Sequence, residues 1–324
     1  MKFVAWMAYH LESREIVDEY VRLAGDALDG HELIICEDLE SITREIEDAD
    51  VMIGWRILPE LLARSKKLKW IQFGSTGIDH TTFPELLSSD VVLTTLGGIH
   101  TRPVAEHVIA QMLALTRRLD VAMRLQQEHR FERAEIASTA DELAGKTIGI
   151  IGLGRIGLNI ARLAKAFEMK VIGTKRTVQG DLPDIEQVYA PSDLHKVLLE
   201  ADYLVLVLPL TGETQALLGS REISLMKPGA RLINVARGAM VDHDGLAEAL
   251  KSGKLAGAAL DVFPQEPLPP DSPIWNLPNV LITPHTGAST PHYSERAAEV
   301  FIHNLNAFLT GGEMVNVYDR ERGY

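Results

Sequence analysis

Three glycines between a predicted strand and a predicted helix constrain the fold of this chain more than any other feature of its sequence. The segment that starts at Ile148 reads IGIIGLGRIG and continues as LNIARLAKAF, so Gly152, Gly154 and Gly157 have G-x-G-x-x-G spacing. In this arrangement the first glycine permits a tight turn, the second lets the backbone approach a pyrophosphate, and the third lets the helix pack closely on the strand. The free amides at the start of the helix also attract an anion. We therefore predict a dinucleotide site at this turn.

Short apolar runs alternate with amphipathic helical patterns along most of the chain. The predicted strands are KFVAWMA, ELIIC, DVMIGW, KWIQFG, DVVLTT, TIGIIG, MKVIGT, YLVLVL, RLINVA, AGAALDV and VLITPH. Such alternation predicts parallel sheets with helices on both faces. We also predict a long helix from Thr101 to Arg118, a surface connection from Phe131 to Gly145, and a last helix that ends at Gly311. With 324 residues the chain exceeds one ordinary core, which predicts two doubly wound α/β domains.

Composition and charge argue against several classes of protein. The formal net charge of −13 argues against nonspecific binding to nucleic acid or to an anionic membrane. No apolar run reaches the roughly 18 residues of a transmembrane helix, and the first residues, MKFVAWMAYHLESRE, fit a strand better than a signal peptide. The single cysteine, Cys36, has no partner for an intramolecular disulfide and suits a reducing compartment. We therefore expect a cytoplasmic protein that acts on a small molecule.

The residues that follow the second strand of the glycine motif predict which dinucleotide binds. In the common NAD-binding form an Asp or Glu stands there and accepts hydrogen bonds from the ribose 2′-hydroxyl. Here Lys175 and Arg176 hold that place, within GTKRT, and the hydroxyl of Thr174 is a further potential donor. A 2′-phosphate prefers charge-assisted donors. We therefore expect NADP(H) to be preferred over NAD(H); the alternative is that both cations are ordinary solvated side chains.

Three residues with complementary chemistry follow three later predicted strands: Arg237 in INVARG, Glu266 in DVFPQEP and His285 in ITPHTG. Ligands bind beyond the carboxyl ends of parallel strands, so these side chains are expected to converge. A carboxylate fixes the tautomer of a neighbouring histidine and favours its protonated form. Such a pair can give a proton to a carbonyl oxygen, and an arginine can clamp a carboxylate. Taken singly, the three residues could equally be a surface cation, a loop acid and a packing histidine.

Seven segments give the chain a resemblance to the D-isomer-specific 2-hydroxyacid dehydrogenase family. They read GSTGIDH, VAEHVIAQMLALTRR, GKTIGIIGLGRIG, LVLPLTGETQALLG, MKPGARLINVARGAMVDHDGLAEAL, LAGAALDVFPQEPLP and LPNVLITPHTGAST. The resemblance covers nearly the whole chain and is to the NADPH-preferring glyoxylate/hydroxypyruvate reductases within the family. It implies a Rossmann-type cofactor domain, residues 100–285, inserted in a flavodoxin-like substrate domain made of residues 1–99 and 286–324. It also implies a homodimer.

The same resemblance implies roles for individual residues. Arg237 would anchor the substrate, Glu266 would be the partner of the histidine, and His285 would be the general acid/base. The backbone of Ser75, Thr76 and Gly77 would receive the substrate carboxylate, with Arg56 and His100 nearby. Asp261 and the carbonyl of Ala236 would orient the nicotinamide amide. Further cofactor contacts are implied for Thr101, Arg155, Ile156, Leu208, Pro209, Thr214, Val235 and Gly287. No metal is expected.

The sequence therefore predicts an enzyme that reduces a small 2-keto acid to the D-2-hydroxy acid with NADPH. Two alternatives stay open. Some relatives oxidise formate or phosphite; formate dehydrogenases carry Gln where Glu266 stands, which argues against formate, but no residue here argues against phosphite. The same fold also serves a dinucleotide-sensing transcriptional corepressor, which retains the dehydrogenase motifs.

Overall fold

The computed structural model describes residues 1–7, 14–177 and 182–324. Its contacts divide the chain into two units, one made of Met1–His100 with Ser289–Tyr324 and the other of Thr101–Ala288. The predicted domains were residues 1–99 with 286–324 and residues 100–285. In the structure, His100 belongs to the first unit and residues 286–288 belong to the second. The reason is local hydrogen bonding: His100 contacts Thr76, and the backbone of 286–287 binds Asp261. The end of the first predicted strand and the start of the first predicted helix lie outside the described residues.

The described part of the first unit contains a five-stranded parallel sheet in the order β2-β1-β3-β4-β5. Its elements are β1 (Lys2–Trp6), α1 (Arg14–Asp26), β2 (Glu32–Ile35), α2 (Leu39–Glu45), β3 (Val51–Gly54), α3 (Pro59–Arg64), β4 (Trp70–Phe73), α4 (Pro84–Leu87), β5 (Val92–Thr94) and α12 (Tyr293–Thr310). Along β1, Phe3 packs in the core beneath α1 and α12, while Val4 packs in the core on the other face. Both are fully buried, as expected for a strand covered on two sides.

The described part of the second unit contains a seven-stranded parallel sheet in the order β12-β11-β10-β9-β6-β7-β8. Its elements are α5 (Thr101–Thr116), α6 (Leu119–Gln127), α7 (Arg133–Ala137), β6 (Thr147–Ile151), α8 (Arg155–Ala166), β7 (Lys170–Thr174), β8 (Gln187–Tyr189), α9 (Leu194–Glu200), β9 (Tyr203–Leu206), α10 (Ser220–Leu225), β10 (Ala230–Asn234), α11 (His243–Lys251), β11 (Leu255–Leu260) and β12 (Val280–Ile282). The strand order reverses between β6 and β9, and ligands of such sheets bind at that point.

The predicted strands, the long helix and the last helix are confirmed, with several differences in the second unit. The long helix ends at Thr116, two residues earlier than predicted, and the helix Leu119–Gln127 was not predicted. A short helix, Arg133–Ala137, lies within the segment predicted to be an irregular connection, because Ala and Glu favour a helix even without an apolar stripe. The edge strand Gln187–Tyr189 was not predicted, because three residues show no usable periodicity. The last helix ends at Gly311, whose φ of +72° is the left-handed conformation favoured at a helix end. Among the described residues, no helix has both the length and the apolarity to span a bilayer.

Candidate active site

The glycine turn has the geometry that its spacing predicts. Gly152 has a φ of +110°, and a Cβ there would lie 2.8 Å from the carbonyl oxygen of Val207. A Cβ at Gly157 would lie 2.2 Å from the carbonyl oxygen of Gly152, so the close packing of α8 on the turn requires a glycine. A Cβ at Gly154, the residue just before α8, would meet nothing within 4 Å. The turn is therefore closed towards the sheet and open at the start of the helix, which fits a bound pyrophosphate.

The start of α5 lies beside this turn. The side chain of Asn159, on α8, donates to the carbonyl oxygen of Thr101 over 3.2 Å. The hydroxyl of Thr101 is buried and has no hydrogen-bond partner within the described ranges. A buried hydroxyl costs free energy unless it is hydrogen-bonded, so this group fits a role in holding a ligand. Arg155 and Ile156 form the first turn of α8, where Arg155 is exposed and Ile156 is half-buried.

The loop after β9 is braced by its own threonine. The Thr214 hydroxyl donates to the carbonyl oxygen of Pro209 over 2.8 Å and accepts from the amide of Thr211 over 2.8 Å. Its role in this structure is therefore to shape the loop that contains Leu208 and Pro209. On the neighbouring strand, the amide of Val235 donates to the carbonyl oxygen of Leu206 over 3.3 Å.

The two cations after β7 have different surroundings. The Lys175 ammonium lies 2.5 Å from the carbonyl oxygen of Leu153, so it stands against the glycine turn. The Arg176 guanidinium lies 2.7 Å from the carboxylate of Glu213, which belongs to the loop after β9. Thr174 is 5% exposed within the strand. An exposed ion pair such as Arg176–Glu213 contributes about 0–1 kcal/mol, so a phosphate can compete with it.

The three predicted catalytic residues follow β10, β11 and β12, which are adjacent and parallel. His285 Nδ1 lies 2.7 Å from Glu266 Oε2, and the amide of Phe263 donates to Glu266 Oε1 over 2.9 Å. A Cβ at Gly238 would lie only 1.9 Å from the backbone of Phe263. The loop that carries Arg237 therefore runs directly against the loop that carries Glu266.

Three groups keep Glu266 ionised. Burial alone would raise the pKa of Glu266, but the hydrogen bonds from His285 and from the Phe263 amide, with the charges of His285 and Arg237, hold that pKa below its ordinary value of 4.5. Since the carboxylate takes Nδ1 of His285, the opposite ring nitrogen, Nε2, is the one left to exchange a proton with a ligand. This is the arrangement of a histidine acid/base with an orienting carboxylate.

The backbone around Arg237 is held by a residue that the sequence did not single out. Asn234, fully buried at the end of β10, accepts from the amide of Ala236 and donates to the carbonyl oxygen of Arg237, both over 3.0 Å. The Arg237 guanidinium also donates to the carbonyl oxygen of Ala236 over 2.8 Å. That carbonyl was predicted to accept from the nicotinamide amide, and one of its two lone pairs is already used. The signal in the sequence that could have identified Asn234 is a polar residue at the end of an otherwise apolar strand.

Asp261 holds the turn that carries His285. Its carboxylate is 3% exposed and accepts from the Thr283 hydroxyl over 2.6 Å, and from the amides of Thr286 and Gly287 over 2.9 Å each. His285 itself has a φ of +54°, the left-handed region that non-glycine residues rarely adopt. Hydrogen bonds to Asp261 from residues on both sides of His285 therefore stabilise this unfavourable backbone conformation.

In the first unit, the predicted carboxylate-binding loop follows β4. Its backbone is fixed by a hydrogen bond from the amide of Leu96 to the carbonyl oxygen of Ser75, 2.9 Å. Within the described part of the chain, the amides of Ser75, Thr76 and Gly77 donate to no backbone acceptor. Three amides in succession at a half-exposed loop are suited to bind an anion.

Two further predicted substrate residues lie in the same unit. The Thr76 hydroxyl donates to the carbonyl oxygen of Leu96 over 3.3 Å and lies 3.1 Å from His100 Nδ1. Burial and the charge of Arg296 lower the pKa of His100 to about 4, which makes it neutral near pH 7. The Arg56 guanidinium lies 5.4 Å from the ring centre of Trp6. In the described residues, no three His, Cys, Asp or Glu side chains form a group able to hold a metal ion.

Comparison with known proteins identifies the family. The model of the D-isomer specific 2-hydroxyacid dehydrogenase NAD binding domain matches residues 109–287. A glyoxylate reductase from Thermofilum pendens is 37% identical over 84% of this chain and 82% of its own length. The chain belongs to the D-isomer specific 2-hydroxyacid dehydrogenases, a family of oxidoreductases. A D-3-phosphoglycerate dehydrogenase from Methanocaldococcus jannaschii is 34% identical over 86% of this chain but only 53% of its own length, so this chain spans about half of that relative.

Solved structures of relatives contain both dinucleotides. An NADPH-dependent glyoxylate/hydroxypyruvate reductase from Sinorhizobium meliloti, solved with NADP and sulfate, has a TM-score of 0.84 and 29% identity over 100% of this chain and 99% of its own. An NAD-dependent formate dehydrogenase from Staphylococcus aureus, solved with NAD, has a TM-score of 0.81 and 28% identity over 97% of both chains. The family uses both cofactors, so the choice between them depends on the residues of this chain.

The His285–Glu266 pair predicts the pH dependence of the reaction. Because the pKa of Glu266 is lowered, the pair is intact above pH 4.5 and is lost only as the pH falls below the ordinary carboxyl range. In Glu266→Gln the histidine loses its carboxylate partner at every pH. We expect kcat to fall by about 10- to 100-fold, since one of the groups that orient the acid/base is lost. Initial rates between pH 5 and 9, where Glu266 is ionised in the wild type, test this, and a wild-type kcat in Glu266→Gln would contradict it.

Proposed function

We propose that this protein reduces a small 2-keto acid to the D-2-hydroxy acid with NADPH. The observation that carries the proposal is the 2.7 Å contact between His285 and Glu266, placed with Arg237 at the ends of three adjacent parallel strands. An arginine suits the carboxylate of a 2-keto acid, and a histidine acid suits its carbonyl oxygen. The names of the glyoxylate reductase relatives agree with this substrate class.

The residues have separate roles in the proposed reaction. When bound, the dinucleotide supplies a hydride to C2 of the keto acid. His285 gives the proton at Nε2 to the carbonyl oxygen, and Glu266 stabilises the charged ring before transfer and fixes its orientation. Arg237 binds the carboxylate through a pair of hydrogen bonds and draws electron density from the carbonyl. The amides of Ser75, Thr76 and Gly77, in the first unit, are proposed by themselves as ligands of a carboxylate.

The preference for NADP(H) over NAD(H) rests on the two cations after β7. Lys175 already stands against the glycine turn, where the adenosine ribose of a dinucleotide would be expected. Arg176 is held by Glu213 in an exposed pair, which a 2′-phosphate dianion can replace with a stronger charge-assisted contact. There is no acid at the end of β7 to accept from a 2′-hydroxyl or to repel a phosphate.

We propose that the protein is cytoplasmic and forms a homodimer. The single cysteine, Cys36, is buried and its pKa is raised by burial, which agrees with an inert thiol in a reducing compartment.

Exposed apolar side chains lie close together in the sequence around α6: Leu119 and Met123 are 48% and 63% exposed one helical turn apart, and Phe131 is fully exposed. Side chains of this kind are unfavourable in water and suit an interface with a second copy.

Charges placed on that apolar surface should break the dimer. In the double variant Met123→Glu/Phe131→Glu we expect light scattering after size-exclusion chromatography to report one chain per particle, against two for the wild type, because two buried carboxylates oppose association. Leu199→Glu, on the exposed face of α9, is the matched control and should leave the dimer intact. A dimeric double variant, or a monomeric wild type, would contradict the proposed interface.

A panel of substrates tests the proposed activity. Glyoxylate, hydroxypyruvate and pyruvate are assayed separately with NADPH and with NADH, and formate and phosphite are assayed with the oxidised cofactors. The proposal predicts oxidation of NADPH by at least one keto acid, with a higher kcat/KM for NADPH than for NADH. Turnover of formate or phosphite alone would replace it with the dehydrogenase alternative. Binding of NADPH with no turnover of any substrate would favour a dinucleotide sensor.

A further inference from the structure

Thr283 links the turn of the proposed acid/base to a helix far away in the sequence. Its hydroxyl has one proton, and the 2.6 Å contact with Asp261 Oδ1 shows where that proton goes, since an ionised carboxylate can only accept. The oxygen of Thr283 must therefore accept from its other neighbours. Two lie within reach, both on α5: Gln111 Nε2 at 3.2 Å and His107 Nε2 at 3.1 Å.

Gln111 and His107 form one polar cluster with Thr283 and Asp261. Gln111 is 2% exposed, and its amide nitrogen donates to the Thr283 oxygen over 3.2 Å and lies 2.9 Å from His107 Nε2. His107 Nε2 lies 3.1 Å from the Thr283 oxygen and 3.5 Å from Asp261 Oδ1. Both side chains of α5 therefore contact the group that binds Asp261.

The His107 ring also limits the position of the turn. A Cβ at Gly287 would lie 3.1 Å from His107 Cδ2 and 2.9 Å from Asp261 Oδ2, so the turn is packed between the ring and the carboxylate. The spacing of His107 and Gln111, four residues apart on α5, places both side chains on the same face of the helix. Neither residue has a role in the proposed chemistry.

We propose that His107 and Gln111 are positioning residues for His285: through Thr283 and Asp261 they hold the left-handed turn that aims its imidazole. The contacts lie on both sides of the histidine, because Thr283 precedes it and the amides bound by Asp261 follow it. The inference rests on the proposed function, in which His285 is the acid/base. A histidine displaced by a fraction of an ångström would still bind substrate but would transfer its proton less well, so the effect belongs in kcat.

Two near-isosteric variants separate the hydrogen bonds from packing. His107→Phe keeps a ring against Gly287 but removes Nε2, and Gln111→Met keeps the length of the side chain but removes its amide. For each we expect kcat with the best keto acid of the panel to fall about tenfold, with KM for that acid and for NADPH within about twofold of wild type. Glu106→Gln, on the exposed side of the same helix, is the matched control and should leave kcat unchanged.

A double-mutant cycle tests whether the effect passes through Thr283. Thr283→Val removes the hydroxyl, so Gln111→Met should cost kcat no more than about twofold in the Thr283→Val background, against about tenfold alone. Independent effects would instead multiply in the double variant, which would overturn the inference. Wild-type kcat in both His107→Phe and Gln111→Met would overturn it as well.

Hydrogen exchange gives a readout that does not depend on activity. The amides of Thr286 and Gly287 bind Asp261, so mass spectrometry of a peptide covering residues 283–288 should show faster exchange in His107→Phe and Gln111→Met than in wild type and Glu106→Gln. If the wild type reduces no keto acid, the proposed function fails while this comparison still decides whether α5 holds the turn. Unchanged exchange in both variants would overturn the inference.

Discussion

Replacing His285 with Ala should reduce kcat for keto-acid reduction by about 10²- to 10⁴-fold, the usual effect of losing a general acid. The reason is structural: Nε2 of His285 is the ring nitrogen left for the substrate once Nδ1 is taken by Glu266, 2.7 Å away. NADPH binding should survive, because the glycine turn and the residues after β7 are built by other strands. Steady-state kinetics and titration of NADPH fluorescence measure the two quantities separately.

His195→Ala is the matched control for this experiment. His195 is an exposed histidine on α9, in the same unit, and contributes to none of the hydrogen bonds of the proposed site. We expect it to retain wild-type kcat and NADPH affinity. Substantial turnover by His285→Ala would remove the histidine from the mechanism, whereas loss of NADPH binding in that variant would show that the substitution disturbs the fold instead.

The second large effect is expected at the adenosine end of the cofactor. Replacing both Lys175 and Arg176 with Ser should raise KM for NADPH by about 10- to 100-fold, since each charge-assisted hydrogen bond lost is worth about 1.5–3 kcal/mol before discounting for exposure to solvent. The KM for NADH should change by no more than about threefold, because a 2′-hydroxyl does not depend on two cations. Initial rates with each cofactor at a saturating keto acid measure both values.

Two control variants sharpen this test. Lys170→Ser removes an exposed cation from the other end of β7 and should leave both KM values unchanged. Glu213→Gln removes the acid that pairs with Arg176, so it should lower KM for NADPH by about two- to fivefold, the range of an exposed ion pair. An equal rise in both KM values for the double variant would show that the two cations do not bind the 2′-phosphate.

The sequence predicted most of the fold because its strands are buried on both faces. Runs such as IGII and YLVLVL can hardly be anything but central parallel strands, and the glycine spacing then fixes where the sheet turns into a helix. Of the elements missed, Gln187–Tyr189 and Arg133–Ala137 are short and lie at an edge or on the surface. There the hydrophobic pattern carries little information.

Of the contacts between distant segments, only the one whose chemistry was evident could be predicted from the sequence. His285 and Glu266 were paired from their chemistry and their places at strand ends, and the structure brings them to 2.7 Å. Glu213 was missed because its partner Arg176 is 37 residues away and no local pattern marks the pair. His107 lies 176 residues before Thr283, which it meets only because α5 packs beside β11. Such contacts depend on helix packing, which strand patterns do not specify.

The most direct test of the proposed function is a hydride-transfer experiment on the wild-type protein. Hydroxypyruvate is incubated with NADPH that carries deuterium at both C4 positions, and the glycerate is analysed by chiral chromatography and mass spectrometry. We expect D-glycerate with one deuterium at C2. L-glycerate, glycerate without deuterium, or NADPH binding with no reduction of hydroxypyruvate, glyoxylate or pyruvate would contradict the proposed function.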